Sequence, residues 1–138
     1  MAGVYYLHNL NILRLHSLGL TGTIPSEIGQ LTELKYLDLK GNQLIGGIPE
    51  CICTMTGIWS IAIRHNELTG QLLDCFVDIE NVGYFGVNNN LSGYIPESIC
   101  NTLPWELTGS LSDNSFCPPY IECIEEYVGE QNTSECGD

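Results

Sequence analysis

The chain is 138 residues long, one domain's worth, and sets 17 Asp and Glu against four Lys and Arg for a formal net charge of −13. That balance argues against nucleic acid and anionic membrane surfaces as partners; it speaks to solubility and association, not to fold. No apolar run approaches the roughly 18 residues that would insert across a bilayer, and no basic stretch followed by an apolar one opens the chain as a signal peptide would.

Val4, Leu7 and Leu10 stand 24 residues before Ile28, Leu31 and Leu34, so the chain opens in the second half of a repeating unit. A repeat that contacts only its neighbours needs a polar terminal face, and none precedes these residues. The expectation is that further repeats lie before Met1 in a longer parent, the alternative that a partner covers this end. The unit itself is clearest at Leu34 to Pro49, LKYLDLKGNQLIGGIP, which reads LxxLxLxxNxLxGxIP. Leu15, Leu39, Ile63, Val87 and Leu111 hold one of its positions; Leu13, Leu37, Ile61 and Phe85 hold the position two earlier. A fixed period in the range of roughly 20 to 29 residues with this pattern marks a leucine-rich repeat solenoid.

Asn42, Asn66, Asn90 and Asn114 fall three residues after the second leucine-type position and are expected to stack as a row that bonds to backbone groups of adjacent turns. Leu18 takes that place in repeat one. Repeat three has Leu73 in place of the proline, and in repeat four Leu91, Gly93, Ile95 and Pro96 arrive one residue early. The lost residue is recovered around CNTLPWELTG, where a distortion of the convex side is expected. From Cys117 the repeat gives way: Pro118 and Pro119 end the coil, and Ile121, Ile124, Tyr127 and Val128 recur at helical spacing with Glu between them. The expectation is a short amphipathic helix folded over the last coil. Residues 1 to 116 are then about five coils, the first incomplete, and residues 117 to 138 a C-terminal cap.

The pattern LxxLxLxxNxLxGxIP resembles the plant-type extracellular subfamily of leucine-rich repeats, found in receptor ectodomains, inhibitors of cell-wall-degrading enzymes and secreted microbial proteins. The cap, CPPYxxCIEEYVGEQ, looks like those closing such repeats in the secreted microbial proteins. The resemblance implies an α/β-type repeat: a right-handed arc with a parallel β-sheet on its concave side, short irregular or helical segments on its convex side and a disulfide-stapled cap.

Seven cysteines with no CxxC point to staples in an extracellular, secreted protein before they point to zinc or redox chemistry, and an odd count leaves one thiol over. Cys51 and Cys75 are 24 apart and so occupy one place in consecutive coils. Strands about 4.8 Å apart would let them bond; the other reading is two small buried residues at a narrow convex position. Cys53 is the expected free thiol, and Cys100, Cys117, Cys123 and Cys136 form a set of four with three open connectivities.

No GxSxG, HExxH, phosphate loop or calcium loop occurs, which makes catalysis, a cofactor and a metal site all unexpected. The charges are more informative. The x positions of each strand segment face away from the core, and they carry Arg14 and His16 in repeat one, Lys35, Tyr36, Asp38 and Lys40 in repeat two, Trp59, Arg64 and His65 in repeat three, and Tyr84 in repeat four. Every Lys and Arg of the chain belongs to this set. Cations beside aromatics on a rigid concave surface suggest recognition of a protein or glycan ligand, one with an acidic or carbohydrate-rich surface. An alternative uses the same charges for self-association: an open first coil and a cationic face receiving the acidic cap of another copy, a heterologous contact that builds filaments or rings. Two glycosylation sequons occur; Asn90-Leu-Ser is expected to be buried in the asparagine row, whereas Asn132-Thr-Ser lies in a polar tail.

Overall fold

The computed structural model describes residues 7–75, 88–101 and 111–137. Each coil contributes a strand to one or both of two parallel sheets. The first sheet stacks β1 (Ile12–Arg14), β3 (Tyr36–Asp38) and β5 (Ser60–Ala62), with Leu13, Leu37 and Ile61 in register. The second stacks β2 (Thr21–Thr23), β4 (Gln43–Gly46), β6 (Glu67–Gly70), β7 (Asn90–Gly93) and β8 (Ser115–Phe116). The leucine-type positions lie between the sheets: Leu37, Leu39, Ile61, Ile63 and Leu111 are all buried.

On the convex side each IP pair starts a 3-10 turn. Pro25 and Pro49 precede Ser26–Gln30 and Glu50–Thr54 with φ of −73° and −69°, the value the pyrrolidine ring imposes. Their carbonyls accept the amides of Ile28 and Ile52, and Pro96 accepts that of Ile99. The isoleucines on either side, Ile24 with Ile28, Ile48 with Ile52 and Ile95 with Ile99, are buried.

The asparagine row exists, with one member corrected: the buried residue in repeat four is Asn89, and Asn90 is exposed. The row member must share a strand face with the buried apolar residue two positions on, because side chains alternate. Asn42 precedes Leu44, Asn66 precedes Leu68, Asn89 precedes Leu91 and Asn114 precedes Phe116, all buried. The residue before each also adopts a left-handed backbone: Gly41, His65, Asn88 and Asp113, with Ser17 at the same place in repeat one. Repeat four is therefore already one residue short before its asparagine. The convex distortion expected around CNTLPWELTG lies largely outside the described residues, as do Val4, Phe85 and Val87.

Each rung bonds across coils. Asn42 Oδ1 accepts the amides of Leu18 and Leu20, at 3.1 and 3.0 Å, while its Nδ2 donates to the carbonyls of Leu15 and Leu39. Asn66 and Asn89 repeat this for Leu44 and Leu68. Among the described residues no buried side-chain nitrogen or oxygen lacks a partner.

The cap extends the row with a residue from outside the repeats. Gln131 Oε1 accepts the Phe116 amide at 3.0 Å, and its Nε2 donates to the carbonyls of Leu111 and Val128 at 2.7 and 2.8 Å. It bonds the last coil as an asparagine of a following coil would. The expected amphipathic helix is instead a 3-10 turn, Glu122–Ile124, followed by turns in which Tyr127 and Val128 both donate to the Ile124 carbonyl. The apolar side still closes the core, since Ile124 and Val128 are buried. Tyr120 donates from its hydroxyl to the Phe116 carbonyl, and burial raises its pKa above the ordinary tyrosine value.

The disulfides correct one pairing and settle another. Cys53, not Cys51, bonds Cys75 with Cα atoms 5.4 Å apart, and Cys51 is the free thiol among the described residues. Equal places in the repeat do not ensure equal directions. A 3-10 turn advances about a third of a revolution per residue, so Cys51 and Cys53 project to different sides of theirs. Cys51 faces back on the preceding coil, where its Cβ lies 2.7 Å from the point a Cβ on Gly29 would occupy. Cys53 is left to reach the next coil. Cys100 bonds Cys123, and Cys117 bonds Cys136. The first of these joins the 3-10 turns of the fourth coil and the cap, as Cys53–Cys75 joins coils two and three.

Candidate functional site: the concave sheet

The outward residues of the three-stranded sheet fall into ranks across the coils. Register sets Ile12 beside Tyr36 and Tyr36 beside Ser60, then Arg14 beside Asp38 and Asp38 beside Ala62. Backbone bonds extend the alignment past the strands, Ser17 donating to the Lys40 carbonyl and Gly41 to that of Arg64. His16, Lys40 and Arg64 thus succeed one another at the C-terminal ends of the strands.

At the opposite ends lies an aromatic ledge. Lys35 and Trp59 each immediately precede a strand, and Ser60 donates its amide to the Lys35 carbonyl. The Tyr36 and Trp59 rings meet edge to face with centroids 6.0 Å apart, and Lys35 Nζ stands 6.0 Å from the Trp59 centroid. Ile12, Tyr36 and Trp59 remain 45%, 38% and 47% exposed, which is high for side chains of this size. The surface is therefore divided: aromatics with Lys35 beside them at one end, and Arg14, His16, Lys40 and Arg64 toward the other.

Asp38 tempers the cationic end, its carboxylate lying 3.6 Å from Lys40 Nζ and accepting the Lys40 amide. A partly exposed pair of this kind contributes under about 1 kcal/mol, so Lys40 can exchange it for a ligand carboxylate at little cost. Of the ten residues singled out by sequence, the structure brings Arg14, His16, Lys35, Tyr36, Asp38, Lys40, Trp59 and Arg64 onto this face. His65 sits at the left-handed bend beyond the strand, and Tyr84 lies outside the described residues. Ile12 is an exposed member of the same surface that a search for charges and aromatics passes over; its outward strand position was the available signal.

Among the described residues no three His, Cys, Asp or Glu side chains converge on a point that would hold a metal ion. Nor does any described helix have the length and apolarity to cross a membrane. What the face offers chemically is stacking, apolar contact and charge.

The Leucine Rich Repeat family model matches residues 33–55. No curated protein matches the sequence. Among solved structures, the BIR2 ectodomain from Arabidopsis thaliana superposes with a TM-score of 0.75 at 29% identity, covering 94% of this chain and 64% of that one. The BIR3–SERK2 complex from the same plant gives 0.66 at 30% identity, covering 83% of this chain and 61% of the matched one. A plant ice-binding protein gives 0.67 at 32% identity, covering 82% and 36%. The chain thus spans about a third of the last and under two thirds of the other two. Three disulfides fit the oxidising surroundings of an ectodomain. Repeat, stacked sheets and cystines make this chain a leucine-rich repeat solenoid similar to plant extracellular ectodomains.

Proposed function

We propose that the protein is a secreted, non-catalytic recognition module that holds an acidic protein or peptide segment on its concave sheet. The observation that carries this reading is the gathering of all four Lys and Arg of a strongly acidic chain on one face, beside an exposed aromatic ledge. Ligand carboxylates would meet Arg14, Lys40 and Arg64, and apolar side chains would rest on Ile12, Tyr36 and Trp59. The complexed relative supports a protein as the ligand class. The test is a screen over immobilised extracellular peptides, proteins and glycans, followed by the triple reversal Arg14→Glu, Lys40→Glu and Arg64→Glu. Affinity and its salt dependence should both fall; unchanged values for both overturn the reading.

A second reading rests on the other sheet and on the ice-binding relative. The five-stranded sheet turns Thr21, Thr23, Ile45 and Thr69 to solvent, hydroxyl and methyl groups in successive coils. Inhibition of ice recrystallisation by the purified protein, lost in Thr21→Asp and Thr69→Asp, would favour it over the concave reading.

A further inference from the structure

The shift of the asparagine row by one residue changes the standing of a motif. Were Asn90 the rung, its amide would be locked between coils. Asn89 takes that role: it is 6% exposed, its Oδ1 accepts the Leu68 amide at 3.0 Å, and its Nδ2 donates to the Ile63 carbonyl at 3.1 Å. Asn90, the next residue along β7, projects to the opposite side of the strand and is exposed. It begins the sequon Asn90-Leu91-Ser92, whose third residue lies on the same strand face two positions on. The buried residue between them is Leu91, which anchors the strand without occupying the sequon's outer side.

The second sequon converges on the same place. Asn132 is exposed, and its Oδ1 accepts the Ser134 amide at 3.2 Å, so the side chain already folds toward the sequon's third residue. Asn132 also donates its own amide to the Asn114 carbonyl, which fixes the cap beside the fifth coil. Asn90 and Asn132 both line one open polar groove of about 300 Å³ between the fourth coil and the cap, together with Asp113 and Glu130. A polar, open groove gives the first sugars of a glycan room and hydrogen-bonding surroundings without displacing packed side chains.

We propose that Asn90 is an N-glycan acceptor and that, with Asn132, it carries sugar over the groove at the C-terminal end of the second sheet. In the transfer, Asn90 Nδ2 bonds to the anomeric carbon of a lipid-diphosphate-linked oligosaccharide. The carbon–oxygen bond to the diphosphate breaks, the lipid diphosphate leaves with the electron pair, and Nδ2 gives up one proton. Thr69 is paired with Asn90 across β6 and β7, so an occupied Asn90 would cover part of the second sheet while leaving the concave sheet clear. The assignment does not depend on the ligand proposed above.

The test is secretion of the full chain from a eukaryotic host that glycosylates a control protein. Enzymatic deglycosylation in ¹⁸O-water then converts each occupied asparagine to labelled aspartate, read by peptide mass. Both Asn90 and Asn132 should be labelled. Asn90→Gln and, independently, Ser92→Ala should each remove one glycan from the intact mass; the second leaves Asn90 itself in place, guarding against an effect of the Gln substitution on folding. A protein labelled at Asn132 alone, or at neither, overturns the assignment of Asn90.

Discussion

Asn89 and Asn90 are adjacent and chemically identical, yet the fold gives them opposite weights, and alanine at each position reads this directly. Removing the Asn89 side chain leaves the Leu68 amide with no acceptor inside a core where Leu68 is fully buried, which costs about 1–3 kcal/mol. The Ile63 carbonyl loses one donor but keeps the Asn66 amide at 2.9 Å, adding about 0.5–1.5 kcal/mol. Together Asn89→Ala should cost about 2–4 kcal/mol. Asn90→Ala changes an exposed side chain and should stay within about 0.5 kcal/mol. In urea unfolding with the disulfides intact, a slope near 2 kcal/mol per molar turns the first loss into a midpoint drop of about 1–2 M. Equal midpoints for the two variants, or a larger loss at Asn90, would refute the row as described.

Gln131→Ala should destabilise the cap by about 2 kcal/mol or more, because the Phe116 amide loses its acceptor; hydrogen exchange should speed up first at Phe116, with little change at Leu37 or Ile61. Thiol titration of the unfolded, unreduced protein should trap Cys51 as the only reactive cysteine, and alkylation at Cys53 would contradict the Cys53–Cys75 bridge. The raised pKa of Tyr120 has a definite sign: the folded state binds the phenolic proton more tightly than the unfolded one. Its contribution to stability is therefore intact below the ordinary tyrosine pKa near 10 and declines as pH rises through the folded value. Tyr120→Phe should remove that alkaline dependence.

Much of this architecture is legible in the chain because the repeat fixes geometry. A 24-residue spacing puts Leu13, Leu37 and Ile61 in register, and strand alternation then delivers Arg14, Tyr36 and Asp38 to the outer side. Counting fails where coil length varies. A count of 24 residues on from Asn66 lands on Asn90, but the local NxL pattern, Asn89-Asn90-Leu91, identifies Asn89 because burial of Leu91 sets the strand's face. Spacing also fails for Cys51 and Cys53, whose directions depend on a 3-10 turn and on the missing side chain of Gly29. Gln131 is hidden for another reason: it imitates a rung from outside the repeat, with one more methylene to reach the same carbonyls. On the concave face, the repeat positions of Arg14, Lys35, Lys40 and Arg64 show that cations gather. The aromatic ledge at one end, with its own lysine, appears only once Trp59 of one coil is seen against Tyr36 and Lys35 of its neighbour.

Hydroxyl-radical footprinting with the ligand recovered from the binding screen tests concave recognition most directly. Tyr36 and Trp59 are exposed on the concave face, and Tyr94, 68% exposed just beyond β7 on the second sheet, serves as the internal reference. Ligand should suppress oxidation of Tyr36 and Trp59 and leave Tyr94 unchanged. Protection of Tyr94 with continued oxidation of Trp59 would put the ligand elsewhere and contradict the account.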